Sequence, residues 1–223
     1  MSTERRPPSS DGLFILGLVG RAGSGKSTVA RALEADGARR LDADRVGHEV
    51  TDRDPEVRAA LAAEYGADVY RPDGTLDRRR VGAKVFSDAG ARQRLDRLVH
   101  PRIVRVLRGQ LDELRTAGFR GLVVVEAALM FEWGFERDCD AVLALTATTE
   151  EQVARMRAAR GWTEEEARAR LAVQRDNPQF ESLADVTIDN HGTLDALERR
   201  AREAVARLRA AAPRPDPESP DRC

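Results

Sequence analysis

Apolar residues in this chain fall into short unbroken runs separated by amphipathic stretches. The first run, Leu13-Phe14-Ile15-Leu16-Gly17-Leu18-Val19, has no polar alternation, as in a strand covered on both faces. Over residues 26–36, Val29, Ala30 and Leu33 recur at helical spacing and Gly37 closes the segment, so the chain opens strand, glycine-rich turn, helix. A second short strand ends near Leu41. Residues 45–118 follow a predominantly helical pattern, broken at Arg71-Pro72-Asp73-Gly74 and at His100-Pro101. That stretch is too long for one crossover and predicts a helical insertion that receives a second substrate. Leu122-Val123-Val124-Val125, Ala141-Val142-Leu143-Ala144-Leu145 and the shorter Val186-Thr187-Ile188 add three strands. Residues 148–174 read as two charged helices hinged at Gly161-Trp162-Thr163, with Thr163 and Glu166 forming a capping box. Residues 194–210 form a last amphipathic helix. Strands alternating with helices predict an α/β fold, a five-stranded parallel sheet flanked by helices.

Composition narrows the class. The 223 residues are 41% hydrophobic and 34% charged, and no apolar run approaches the roughly 20 residues of a membrane helix. The start of the chain has arginines but no apolar export region, and Cys139 and Cys223 make neither a metal set nor a disulfide framework. A reducing, cytoplasmic setting is expected, with no membrane partner. Lysine plus arginine total 37 against 38 acidic residues, so there is no global field to attract nucleic acid. His48, His100 and His191 are not spaced as a zinc set, and Trp133 and Trp162 read as packing or loop anchors.

The chemistry starts in the turn after the first strand. Gly20-Arg21-Ala22-Gly23-Ser24-Gly25-Lys26-Ser27 matches G-x-x-x-x-G-K-[ST] between an expected strand and an expected helix. Glycines let successive N–H groups turn inward, and the helix N-terminus adds partial positive charge, so the segment suits an anionic phosphate. Ala22, Gly23, Ser24, Gly25, Lys26, Ser27 and Thr28 are the expected contacts for ATP. Lys26 would span the β- and γ-phosphate oxygens, and the Ser27 hydroxyl would ligate Mg²⁺.

The second strand ends in Leu41-Asp42-Ala43-Asp44, which brings carboxylates to the carboxyl edge of the sheet, where open α/β folds bind ligands. Asp44 is placed to orient an acceptor hydroxyl and take its proton; the alternative is that it caps the following helix. Asp42 could face either the metal or the rim of the core.

Taken with the loop, these residues resemble the dephospho-coenzyme A kinase family. The resemblance runs through residues 17–28, Leu41-Asp42-Ala43-Asp44 and His48, then Asp73-Gly74-Thr75-Leu76-Asp77-Arg78, Val85-Phe86 and Leu98-Val99-His100-Pro101. It continues through residues 129–132, Ala184-Asp185, Ile188-Asp189-Asn190 and Gly192. It implies a P-loop kinase in parts: a nucleotide-binding core over residues 13–44, 119–147 and 184–210, a helical acceptor region over 45–118, and an arginine-rich helical lid over 148–183. Residues 1–12 are expected to be flexible and 211–223 to be a disordered tail. It also implies transfer of the ATP γ-phosphoryl group to the ribose 3′-hydroxyl of dephospho-coenzyme A, with Asp44 as base. His48, His100 and Pro101 would serve the acceptor, although His100-Pro101 could equally end one helix and start the next. Asn190 and Gly192 would lie near adenine, Glu126 would reach Mg²⁺ through a water, and Arg155 and Arg160 would neutralise the transferring phosphoryl group. The chain departs from the family at Glu126 and Ala128, where aspartate and proline are usual, at Phe180, where lysine or arginine is common, and at Ala159 beside Arg160. Two other functions stay open: a nucleoside or nucleotide kinase of the same class, and a nucleotide-gated binding protein that phosphorylates no acceptor.

Overall fold

A computed structural model describes residues 12–87 and 90–212, except for the side chains of residues 83, 85–87, 92 and 160. Of residues 1–12, expected to be flexible, and 211–223, expected to be a disordered tail, 1–11 and 213–223 lie outside the described residues, while Ala211 ends the last helix. The chain divides into two compact units, one of residues 1–41 and 114–223 and the other of residues 42–113.

The first unit holds the sheet. Its strands are β1 (Leu13–Val19), β2 (Arg39–Asp42, whose last residue opens the second unit), β3 (Gly121–Glu126), β4 (Ala141–Thr146) and β5 (Val186–Asp189). They lie in the order 2-3-1-4-5 and run parallel, β1 pairing with β3 on one side and β4 on the other. Its helices are α1 (Lys26–Ala35) after β1, the short α6 (Met130–Trp133) after β3, α7 (Thr149–Arg160), α8 (Glu164–Ala172) and α9 (Asn177–Leu183) between β4 and β5, and α10 (Leu194–Ala211). All seven residues of β1 are buried, as an unbroken apolar run requires. Phe14, Leu16 and Leu18 of β1 pack with Val29, Ala30 and Leu33 of α1 and with Leu197, Ala201, Ala204 and Val205 of α10. Leu16 and Leu18 have no exposed surface, and each burial contributes about 1.5–3 kcal/mol.

Two aspartates fix the starting edge of the sheet. Asp140, just before β4, accepts the Ile15 N–H at 2.6 Å, while its own N–H donates to Ile15 O. Asp185, just before β5, repeats the arrangement one strand over, accepting from Val142 N at 2.7 Å and donating to Val142 O. Each ties the residue just before a strand to the backbone of the neighbouring strand.

The expected hinge between two helices is present, with Gly161 in the left-handed region and Thr163–Glu166 as a capping box. The expectation stopped one helix short. Asp176 caps α9 through a third box with Gln179, a signal of the same form as Thr148–Glu151 and Thr163–Glu166.

The second unit is built from α2 (Ala43–Arg53), α3 (Pro55–Tyr65), α4 (Arg78–Ser87) and α5 (Ala91–Thr116), whose last residues pass into the first unit. A short 3-10 turn, Ala67–Val69, and the bridge Tyr70–Leu76 flank the expected turn at residues 71–74. The break expected at His100-Pro101 is not there: α5 runs through Pro101. Proline costs about 3 kcal/mol inside a helix. Against that, Val99, Ile103, Leu107 and Leu111 recur every fourth residue and are all buried, so packing on both sides of the proline keeps the helix going. Asp52 braces the turn, accepting from Leu76 N at 2.9 Å and from Arg78 at 3.1 Å. No helix among the described residues is long and apolar enough to cross a membrane.

Replacing Asp185 by alanine leaves the buried Val142 N–H without its charged acceptor. The expected loss is about 1–3 kcal/mol of stability, read as a lower denaturation midpoint in urea with the slope unchanged.

Candidate active site

β1 delivers the chain to the loop at the carboxyl edge of the sheet, where neighbouring connections leave in opposite directions. The loop needs glycine in two places for different reasons. Gly20, at φ +137°, lies so close to Leu145 O that no side chain fits. Gly25, at φ +105°, caps α1 in the left-handed region, and a Cβ there would stand 2.5 Å from Asn190 Nδ2. Between and after them, the N–H groups of Gly23, Gly25 and Ser27 have no protein acceptor among the described residues. They stand at the start of α1, an arrangement that suits an anion.

What holds the loop is mostly outside it. Asn190 is buried at the end of β5 and donates to Ser24 O at 2.8 Å, while its own N–H reaches Thr146 O at 2.7 Å. Arg155 of α7 donates to Gly23 O at 3.2 Å and to Asn190 O at 3.0 Å. Gln174, beyond α8, accepts the Ala22 N–H at 2.9 Å, and Arg21 donates to Leu171 O at 3.0 Å. Burial lowers the Arg21 guanidinium from its usual pKa, with Asp176 opposing. Lys26 is buried along the loop, its Nζ 2.9 Å from Gly20 O and 3.1 Å from Arg21 O. Thr28 donates its N–H to Gly25 O, and Gly192 lies on the exposed turn after Asn190.

Glu126, the last residue of β3, meets the loop at Ser27, whose Oγ donates to Glu126 Oε1 at 2.5 Å. The other oxygen, Oε2, accepts from Arg40 Nη2 at 2.7 Å and Nε at 3.1 Å. A hydroxyl and one carboxylate at a helix start fit Mg²⁺, which usually keeps several waters and takes few protein ligands beside substrate phosphates. No cluster of three or more acidic, histidine or cysteine ligands occurs among the described residues.

The structure thus brings together residues 22–28, Asn190, Glu126 and Arg155. Asp44, His48, His100 and Pro101 belong to the second unit. There Asp42, not Asp44, is the N-cap of α2, accepting from Arg45 N at 3.1 Å. One oxygen of Asp42 is thus engaged at the helix start. Asp44, one residue into the first turn, is exposed, and its carboxylate has no hydrogen bond or ion pair among the described residues. His48 follows it by one helical turn. Partial burial of an otherwise exposed ring, and then Arg78, hold the His48 imidazole below its ordinary pKa, while Asp44, Asp52 and Asp42 pull the other way. His100 pairs with Asp96 at 3.3 Å within α5. The side chain of Arg160 lies outside the described residues.

Residues 14–196 match the family model described as dephospho-CoA kinase. The chain belongs to the dephospho-CoA kinase family. Among curated members, it is 39% identical to the dephospho-CoA kinase of Symbiobacterium thermophilum over 81% of this chain and 75% of that protein. It is 38% identical to that of Thermobifida fusca over 86% of this chain and 95% of the relative. A crystal structure of a Thermus thermophilus protein aligns with TM-score 0.72 and 34% identity, covering 87% of this chain and 97% of that one. The Campylobacter jejuni dephospho-CoA kinase shares the fold, with TM-score 0.65, 22% identity, and coverage of 88% of this chain and 97% of that one. Phe180 has a packing role: its ring is wholly buried and lies 6.1 Å from that of Phe131. Arg40 and Gln174 were not foreseen, since each acts through a partner distant in sequence.

The opposing pulls on His48 give a direct check. Replacing Asp44 by asparagine removes a charge that raises the imidazole pKa, so the His48 midpoint should fall further below its usual value in an NMR titration.

Proposed function

We propose that the chain transfers the γ-phosphoryl group of ATP to the ribose 3′-hydroxyl of dephospho-coenzyme A, giving coenzyme A and ADP, the last step of coenzyme A biosynthesis. The observation that carries this reading is the unbroken family match over residues 14–196, which takes in the phosphate loop, Glu126, Asp44 and Asn190 alike.

In this reading the loop N–H groups receive the ATP phosphates, Lys26 turns from the loop carbonyls to the β- and γ-oxygens, and adenine lies against Asn190 and Gly192. Ser27 and Glu126 would hold Mg²⁺, which would supply charge neutralisation to the phosphates. Asp44 accepts the proton of the 3′-hydroxyl as its oxygen bonds to the γ-phosphorus, and the bond to the ADP oxygen breaks in line. The exposure of the Asp44 carboxylate and the absence of a protein partner among the described residues support that role. His48, His100 and Pro101 serve the acceptor. Arg155, already bonded to the carbonyls of Gly23 and Asn190, is the lid arginine assigned to the charge on the equatorial oxygens.

The test is ADP release that depends on dephospho-coenzyme A, run beside a panel of nucleosides and nucleotides. Labelling of nucleosides alone would move the assignment to a nucleoside kinase. Replacing Lys26 by methionine should lower kcat by about 10²–10³. Asp44→Asn should lower kcat by about 10²–10⁴ with ATP affinity within about twofold, and unchanged coenzyme A formation by this variant would remove Asp44 as the base.

A further inference from the structure

Residues 21–24 form a tight turn at the tip of the phosphate loop. Ser24 N–H donates to Arg21 O at 3.2 Å, Gly23 stands at φ +75°, and Ala22 is not at positive φ. Together these make a type II turn with Ala22 in the second position and Gly23 in the third. The peptides on either side of the central one are held at both ends. In the Arg21–Ala22 peptide, Arg21 O accepts from Lys26 and Ser24, and Ala22 N–H donates to Gln174 Oε1 at 2.9 Å. In the Gly23–Ser24 peptide, Gly23 O accepts from Arg155, and Ser24 N–H closes the turn. The central peptide carries Gly23 N–H, which has no protein acceptor among the described residues.

Gln174 is itself fixed. Its own N–H donates to Leu171 O at 3.1 Å, and the same carbonyl takes Arg21 Nη2 at 3.0 Å, so residues 21–22 and 171–174 close a ring of hydrogen bonds. The Ala22 side chain packs against Val153, Met156, Ala167 and Leu171, the apolar cluster shared by α7 and α8. The tip of the loop is thus seated on that helix pair.

We propose that Gln174 is a positioning residue of the phosphate site: by holding Ala22 N–H it keeps the central peptide of the turn from flipping, and so keeps Gly23 N–H available to an incoming phosphate. This rests on the reading that the loop receives the nucleotide phosphates. Type I and type II turns differ by roughly half a rotation of the central peptide, and glycine in the third position is at ease in both. A flip would exchange Gly23 N–H for Ala22 O, a dipole of the wrong sign for an anion. It also requires compensating rotation beside the central peptide, which hydrogen bonds at both flanking peptides resist. Of those bonds, the one from Ala22 N–H is supplied by Gln174.

Proline at the second position separates the hydrogen bond from the packing. Type II turns favour it there, and it keeps a Cβ for the α7–α8 cluster, but it has no N–H to donate.

The experiment is calorimetric titration of the full chain with ADP in saturating MgCl₂, with thermal melting to confirm that each variant folds and NMR to follow exchange of the Ala22 amide. Gln174→Met should weaken ADP binding by about fivefold, the net effect of one hydrogen bond on the population of the competent turn. It should also speed exchange at Ala22 N–H by about tenfold or more. Within Ala22→Pro, which leaves Gln174 no N–H to take, adding Gln174→Met should change ADP affinity by less than about twofold. Should Ala22→Pro not fold, Gln174→Glu takes its place: it keeps an acceptor, so Ala22 N–H should exchange as slowly as in the original protein. Unchanged ADP affinity in folded Gln174→Met overturns the role of Gln174. So does the same fivefold loss inside Ala22→Pro, or fast exchange at Ala22 in Gln174→Glu. A different result, failure of the original protein to bind ADP, would overturn the reading of the loop as a phosphate site, and the role of Gln174 with it.

Discussion

A loop that grips phosphate through its own N–H groups cannot use those groups to hold itself together. The rest of the first unit is arranged around that constraint. Gly23, Gly25 and Ser27 keep their N–H groups without protein acceptors among the described residues, and the loop carbonyls are secured by side chains: Ser24 O by Asn190, Gly23 O by Arg155, Gly20 O and Arg21 O by the loop's own Lys26. Each of these is a donor acting on a carbonyl, the half of each peptide that a bound phosphate does not need. Two loop N–H groups are exceptions: Gln174 takes that of Ala22, and Arg21 O takes that of Ser24. The scaffold thus stiffens the loop while leaving most of its recognition chemistry facing outward.

The same division explains which parts of the fold were legible. β1 and β4 are unbroken apolar runs because both faces of each strand are covered, and such runs stand out in any sequence. The helices between β4 and β5 carry their start signals within four residues, Thr163 with Glu166 and Asp176 with Gln179, so even the helix that was not anticipated had a readable cap. Pro101 misled because its penalty is local and visible, whereas the buried row from Val99 to Leu111 that outweighs it depends on what α5 packs against.

Within the site, Lys26 and Ser27 could be assigned roles from residue type and spacing, because the motif is contiguous. Asp44 could be singled out but not distinguished from a helix cap; the cap proved to be Asp42, whose side chain bonds Arg45 N. The contacts that shape the loop join residues far apart: Arg155 to Gly23 spans 132 positions and Ala22 to Gln174 spans 152. No periodicity or local motif marks such partners. They exist only once the sheet has assembled in the order 2-3-1-4-5 and brought the ends of β3 and β5 beside the loop after β1.

Asp140 and Asp185 sit at the opposite edge of the sheet from all of this chemistry. Strand register is pinned at the starting edge, by carboxylates that take neighbouring backbone N–H groups, and the working residues project from the finishing edge. Errors of alignment and errors of reactivity are therefore kept at separate ends of the same strands. A substitution at the reactive margin, such as one at Glu126, would leave untouched the contacts that set which strand lies beside which. Diversification of the site is then limited by local fit among a few side chains, not by the folding of the whole unit.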